Sequence, residues 1–187
     1  MIKAIITDFD GTLVDTFEAN LRAYQKAFEV VGLTITDDQY RECFGYRFEQ
    51  FMTTMGITDE QVANTIKEAK KDYYPEFFQY LRLNKTLAEM IRCLHHMGGK
   101  TAIASTASKD NLINAVNHLD ILGIFDLIYA GVDVKEGKPS PEIYLKAMET
   151  LGVKPKQTLI FEDSEVGIKA AKASGAHYII VSPNQFE

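Results

Sequence analysis

The sequence predicts an α/β fold: a parallel sheet with helices on both faces, interrupted by a small all-helical insert. Three observations predict it. Residues 83–187 alternate strand-like with helix-like segments. A short strand-like run, Ile2 to Thr7, opens the chain. Between the two, residues 15–82 carry helical periodicity and many aromatic rings. The α/β unit is therefore expected at 1–14 and 83–187, and the helical unit at 15–82.

Each element follows from local pattern. Ile2 to Thr7 is apolar and short, as a strand buried on both faces should be. Phe17, Leu21, Tyr24, Phe28 and Val31 recur at helical spacing, and Gly32 stands where that helix should stop. "TDDQYRECFGYRFEQFMTTMG" continues as helix with a break at Gly45. A further helix follows, with Thr58 as its expected cap and Pro75 as its limit or bend. "KEAKK" at 67–71 reads as its solvated face, and Tyr73, Tyr74, Phe77, Phe78 and Tyr80 as packing aromatics. Beyond residue 83, helices are expected in "KTLAEMIRCLHHMGG", "KDNLINAVNHLDILGIF", "PEIYLKAMETLG" and "EVGIKAAKASG". Strands are expected in "KTAIAS", "DLIYAG", "TLIFED" and "HYIIVS". Right-handed crossovers place the C-terminal ends of all these strands on one edge of the sheet.

Composition narrows the classes. The chain is 46% hydrophobic and 25% charged, which suffices for a core without disulfide or metal staples. A formal charge of −6 excludes a general nucleic-acid or membrane-surface binder, since both require excess Lys and Arg. No segment reaches the roughly 20 apolar residues that span a bilayer, and the apolar N-terminal run is too short for a signal peptide. Cys43 and Cys93 read as reduced, buried thiols of a cytoplasmic protein, and a monomer is expected.

The common edge collects polar groups from four strands. The first delivers Asp8 and Asp10, the second Ser105 and Thr106, the third leads to Lys138, and the fourth ends on Glu162 and Asp163. Strands disfavour Asp and Gly, so two acids followed by Gly11 at a strand end call for a chemical reason. Four carboxylates on one rim repel one another unless a cation lies among them. Mg²⁺ fits, because it takes one or two carboxylates together with a substrate phosphate. Lys138 and the Ser105 hydroxyl suit anionic oxygens, and N–H groups in the turn that Gly11 permits add donors. The set describes a phosphoryl-transfer site in which Asp8 is the nucleophile and Asp10 the general acid and base.

"DFDGTLVDT", "TAIAST", "EGKPSPEIY" and "LIFEDSEVGIKAAKASG" resemble, in order, the four signatures of the haloacid dehalogenase-like superfamily. The resemblance implies a Rossmann-like core with an inserted helical cap domain at residues 15–82. It implies Asp8 as nucleophile and metal ligand, and Asp10 as acid/base that also binds metal through its carbonyl. Ser105 and Lys138 would hold the phosphoryl group, and Asp163, helped by Glu162, would complete the metal site. The second acid, Asp10, points to phosphate esters rather than carbon–halogen bonds. "KPSPEIY" with "EDSEVGI" most resembles the branch of phosphoglycolate phosphatase and β-phosphoglucomutase. The expected substrate is a small phosphorylated metabolite, and the expected activity is hydrolysis.

A phosphomutase is the alternative, although Asn20 stands near where that enzyme carries a cap histidine. Arg47 is the cap residue suited to a substrate phosphate. A binding protein that kept the fold without activity is a third reading, against which the intact signature set argues. Blander roles compete at single positions. Ser105, Thr106 or Ser108 is suited to cap the next helix, Lys138 to stand in solvent, and Glu162 and Asp163 to serve a helix start.

Overall fold

The computed structural model describes residues 1–182 and Phe186. The chain divides into two compact units, Met1–Asp15 with Arg82–Glu187, and Thr16–Leu81. In chain order, β1 (Ala4–Thr7) and β2 (Val14–Asp15) precede the second unit. That unit holds α1 (Phe17–Val30), α2 (Asp37–Cys43), α3 (Phe48–Thr54), α4 (Glu60–Tyr73) and a 3₁₀ segment, Tyr74–Tyr80. The first unit resumes with β3 (Arg82–Leu83), α5 (Lys85–His96), β4 (Lys100–Ala104), α6 (Lys109–His118) and β5 (Leu127–Tyr129). It ends with α7 (Glu142–Leu151), β6 (Thr158–Glu162), α8 (Glu165–Ala173) and β7 (His177–Ile180).

Five strands form one parallel sheet in the order β5-β4-β1-β6-β7. The first strand lies at its centre because the chain winds outward on one side through β4 and β5, then crosses back to β6 and β7. Thr7 is level with Ile103 on β4 and Phe161 on β6, so Asp8, Ser105 and Glu162 reach the same rim. Beneath that rim, Ile6, Ala102, Ala104 and Ile160 pack against Ile143, Ala147 and Met148 of α7 and Ala170 and Ala171 of α8. Alanines dominate the contact, which lets the helices approach the sheet closely. The predicted helix at 109–125 stops at His118, because Asp120 adopts a positive φ of 53°.

Within the second unit, Phe17, Tyr24, Phe28, Tyr40, Phe44 and Phe51 form a chain of tilted and edge-on ring pairs around Leu21, Met52 and Ile66. Gly45, with φ 86°, separates α2 from α3. Three expectations are corrected. The cap of α4 is Asp59, whose carboxylate accepts from the Gln61 and Val62 N–H groups at 2.8 and 3.1 Å, rather than Thr58. Lys70 is not on a solvated face: it is buried, with its ammonium 3.9 Å from the Tyr74 ring centroid. A long apolar stem and a cation–π contact make that burial tolerable. Of the two free cysteines, Cys43 is buried as expected, but Cys93 is exposed.

Asn84 fastens the re-entry into the first unit. Its carboxamide oxygen accepts from Leu87 N–H at 3.1 Å and caps α5, while its NH₂ donates to the Thr12 carbonyl at 3.3 Å. Its own N–H donates to the Leu13 carbonyl at 2.8 Å. Asn84→Ala removes the cap and leaves a buried acceptor unpaired, so it should destabilise the protein by about 1–3 kcal/mol in denaturant titration. Asn84→Asp should recover the cap part of that loss.

Candidate active site

Asp8 leaves β1 at its C-terminal end, with its N–H bonded to the Phe161 carbonyl of the neighbouring strand at 3.0 Å. Asp10 follows in a turn closed by the Gly11 N–H donating to the Val14 carbonyl at 2.8 Å. The N–H groups of the turn that Gly11 permits, expected as donors to an anion, are engaged within the turn: that of Gly11 by Val14, and those of Thr12, Leu13 and Val14 by the Phe9 carbonyl. The residue is glycine for two other reasons. Its φ is 82°, and a Cβ would lie 2.2 Å from Asp163 Oδ2. The turn thus brings the carboxylate from the end of β6 against the backbone after β1.

The Lys138 ammonium stands between Asp8 Oδ1 and Glu162 Oε1, 2.5 Å from each, with 3% of its side chain exposed. It is no solvated loop lysine. Asp8, Glu162 and Asp163 each bring a carboxylate oxygen within 4.8 Å of the other two, a spacing that a hard divalent cation can bridge. Ser105, 1% exposed, donates its hydroxyl to Asp10 Oδ2 at 3.3 Å and accepts from the Ala107 N–H at 3.1 Å. The cap of α6 is Ser108, which accepts from Asn111 N–H at 3.4 Å, so Ser105 faces the acids. Thr106 follows in the same loop, and its carbonyl packs so closely on Gly131 that a Cβ there would lie 2.8 Å away. Lys109 holds this loop to the next one, donating to the Ile128 carbonyl at 2.7 Å and to Asp133 at 2.8 Å.

Burial pushes the Asp8 carboxyl well above the usual carboxylate range; Lys138 pulls it down without cancelling, and Glu162, Asp163 and Asp10 push it further up. Asp163 is raised to about 6, by burial first, against a lowering hydrogen bond from Thr12 and with Glu162 adding to the rise. Burial alone would lower Lys138, but Asp8 leads the neighbours that outweigh it, and the ammonium stays charged. The acids as a group lack positive charge, which is what a cation among them would provide.

Several further contributors lie inside the motifs quoted above, although motif spacing alone gives them no role. The Thr12 hydroxyl donates to Asp163 Oδ1 at 2.7 Å. The Tyr144 hydroxyl, on α7, donates to Glu162 Oε1 at 2.6 Å. Gly167 leaves room for the same carboxylate: a Cβ there would lie 1.9 Å from Glu162 Oε1. The start of α8 is capped by Ser164, which accepts from Gly167 N–H at 3.1 Å, and Glu162 supports that cap by accepting from the Ser164 N–H and hydroxyl. Asn20 and Arg47 belong to the second unit. Asn20 is buried on α1, and Arg47 precedes α3. Among the described residues, Arg47 Nε and Nη2 are buried without a hydrogen-bond partner.

The family profile described as haloacid dehalogenase-like hydrolase matches residues 5–181. A phosphorylated carbohydrates phosphatase of Thermotoga maritima is 32% identical over 184 residues, spanning 95% of this chain and 84% of that protein. Among solved structures, CbbY from Rhodobacter sphaeroides in complex with phosphate has a TM-score of 0.87 at 30% identity, covering 96% of this chain and 86% of that one. A mutant of that protein, solved with xylulose-(1,5)bisphosphate, gives a TM-score of 0.85. β-Phosphoglucomutase from Clostridium difficile gives 0.83 at 26% identity, covering 97% and 85% of the two chains. Profile, relatives and sheet-edge geometry agree: this chain belongs to the haloacid dehalogenase-like hydrolase family.

Proposed function

We propose that this protein is a Mg²⁺-dependent phosphatase of small phosphorylated metabolites, of the phosphorylated-carbohydrate class, working through an aspartyl-phosphate on Asp8. The observation that carries the reading is the buried Lys138 ammonium shared by Asp8 and Glu162, with Asp163 completing a cation-sized acidic cluster. The activity for which the Thermotoga maritima relative is named, and the ligands seen with CbbY, support the substrate class. A cytoplasmic monomer suits the free cysteines, and no helix among the described residues is long and apolar enough to cross a membrane.

The residues assign themselves roles by position. Asp8, Asp163, Glu162 and the Asp10 carbonyl would hold Mg²⁺, which supplies positive charge that draws carboxylate and phosphate oxygens together. Lys138 and the Ser105 hydroxyl, with Thr106 beside it, orient the transferring phosphoryl group. Asp8 attacks phosphorus, and its new O–P bond forms as the ester O–P bond breaks. Asp10 gives its proton to the leaving oxygen. Water then attacks the phosphorus of the aspartyl-phosphate and passes a proton to Asp10, releasing inorganic phosphate and the Asp8 carboxylate. The second unit, Thr16–Leu81, acts as the cap that selects the substrate, through Asn20 and Arg47. The Arg47 Nε and Nη2 donors, buried without a hydrogen-bond partner among the described residues, fit the role of a receptor for an anionic group on the substrate.

Asp8→Asn should fold normally yet hydrolyse a panel of sugar phosphates at least about a thousandfold more slowly, and chelator should silence the unmutated enzyme alike. Near-normal turnover by Asp8→Asn would remove the nucleophile. In the same assay a hexose 1-phosphate should yield inorganic phosphate; faster appearance of the 6-phosphate would favour the mutase reading that the β-phosphoglucomutase likeness keeps open. Arg47→Ala should raise KM about tenfold, with a smaller change in kcat, as expected for a contact made equally in ground and transition states.

Asp163 supplies a test of the electrostatics. Its folded pKa of about 6 lies above the ordinary aspartate value of 3.8, so the charged carboxylate costs stability above pH 6, and that cost vanishes below pH 4. In the metal-free protein, Asp163→Asn should therefore gain about 1–2 kcal/mol at pH 8, after allowance for partial exposure. Thermal melts should show no gain at pH 4. Mg²⁺ should reverse the order at pH 8 by stabilising only the protein that keeps the carboxylate.

A further inference from the structure

We propose that Tyr144 is a positioning residue for the phosphoryl site: it holds the Glu162 carboxylate so that the Lys138 ammonium remains shared with Asp8. The inference rests on the function proposed above, and it assigns work to a residue of α7 that the structure buries in the core. Tyr144 is fully buried, between Ile143 and the alanine-rich contact of α7 with the sheet. Phenylalanine would fill that space as well. A buried phenol, by contrast, needs a partner, and this one donates to Glu162 Oε1 at 2.6 Å.

Glu162 is itself fully buried and is gripped on both oxygens. Its Oε2 accepts from the Asp163 N–H, the Ser164 N–H and the Ser164 hydroxyl at 3.1, 3.3 and 3.1 Å. Its Oε1 accepts from two donors, Tyr144 and Lys138. The ring of Tyr144 also lies beside the ammonium, with its centroid 5.2 Å from Lys138 Nζ. One side chain therefore touches both members of the pair, the acid through its hydroxyl and the cation through its π face.

The consequence concerns a balance. Lys138 Nζ is 2.5 Å from Asp8 and 2.5 Å from Glu162, so two carboxylates compete for one ammonium inside the protein. The Tyr144 hydroxyl satisfies part of the demand of Glu162 and leaves the ammonium free to face Asp8, where the phosphoryl group must be received. Without that hydroxyl, Lys138 is the donor left to Oε1 among the described residues, and the ammonium is drawn from Asp8 toward Glu162. In a poorly solvated site such a shift is resisted weakly by solvent and strongly felt by an incoming phosphate.

The test is Tyr144→Phe, which keeps the ring and the packing and deletes only the hydroxyl. Measured with Mg²⁺ and p-nitrophenyl phosphate, kcat/KM should fall about tenfold or more, and the inhibition constant of inorganic phosphate should rise by a similar factor, since a hydrogen bond to a charged group is at stake. The phosphate inhibition constant and the melting temperature separate the alternatives. A purely structural tyrosine would lower the melting temperature and leave the phosphate inhibition constant unchanged, which would overturn the inference. In a Lys138→Met background, Tyr144→Phe should have little further effect on phosphate inhibition; an undiminished effect would show that Tyr144 does not act through Lys138. Crystal structures of the unmutated and Tyr144→Phe proteins decide the geometry without any assay. The Nζ–Asp8 contact should open beyond hydrogen-bond distance while the Nζ–Glu162 contact persists, and an unmoved ammonium would refute the proposal. If the unmutated protein hydrolysed no ester, the proposed function would fail, and the two structures would still support or refute the role of Tyr144.

Discussion

A lysine ammonium taken out of water must be met by negative charge, and Lys138 is met by two carboxylates at 2.5 Å, one from the end of β1 and one from the end of β6. Much else in the first unit follows from holding that triad. The two acids reach it because adjacent parallel strands end level with each other. Glu162 stays in place because α7 and the start of α8 donate to it, and because Gly167 leaves its carboxylate room. Gly11 does the same for Asp163 on the other side of the cluster. Substituting either glycine would set a methyl group against a carboxylate of the cluster, so the site constrains the backbone as strongly as the backbone positions the site.

The arrangement carries an electrostatic cost that makes chemical sense. One ammonium cannot neutralise Asp8, Glu162, Asp163 and Asp10 together, and burial lifts the Asp8 and Asp163 carboxyls above their ordinary range. A protein selected for stability alone would not gather these groups. The proposed phosphatase reading gives the surplus acid a purpose: it is the demand that a divalent cation meets when a phosphoryl group is brought in. The second unit supplies a different element, a helical body packed on aromatic rings in which Nε and Nη2 of Arg47 are buried without a hydrogen-bond partner among the described residues. The proposal that this arginine receives the substrate makes the two units complementary in role.

Much of this is legible in the sequence. Alternating strands and helices predict the sheet, and acids at two strand ends predict the rim, because both signals are local and repeat. What depends on tertiary register is less legible. The pattern predicts a helix in "PEIYLKAMETLG", yet periodicity says nothing about which polar atom the Tyr144 hydroxyl meets, so that contact carries no signal there. Lys70 reads as solvated because charge runs usually are, whereas Tyr74 and Tyr24 lie against its ammonium. Gly11 invites a reading of the turn's N–H groups as donors, when its own missing side chain makes room for Asp163. Thr58 and Asp59 offer two caps in succession, and the structure uses the second. In each case the sequence names the right neighbourhood and the packing chooses the atom.

The proposed chemistry requires above all that the carboxylate beside Lys138 carry the phosphoryl group between ester and water. Rapid acid quench during turnover of a good ester substrate with Mg²⁺, followed by peptide mass spectrometry, is the sharpest probe of that requirement. One phosphoryl group should be found on the peptide containing Asp8, appearing within the first turnover and absent when chelator is added. Turnover with no phosphorylated peptide under conditions where hydrolysis of the intermediate is slow, or a phosphoryl group on any other residue, would contradict it.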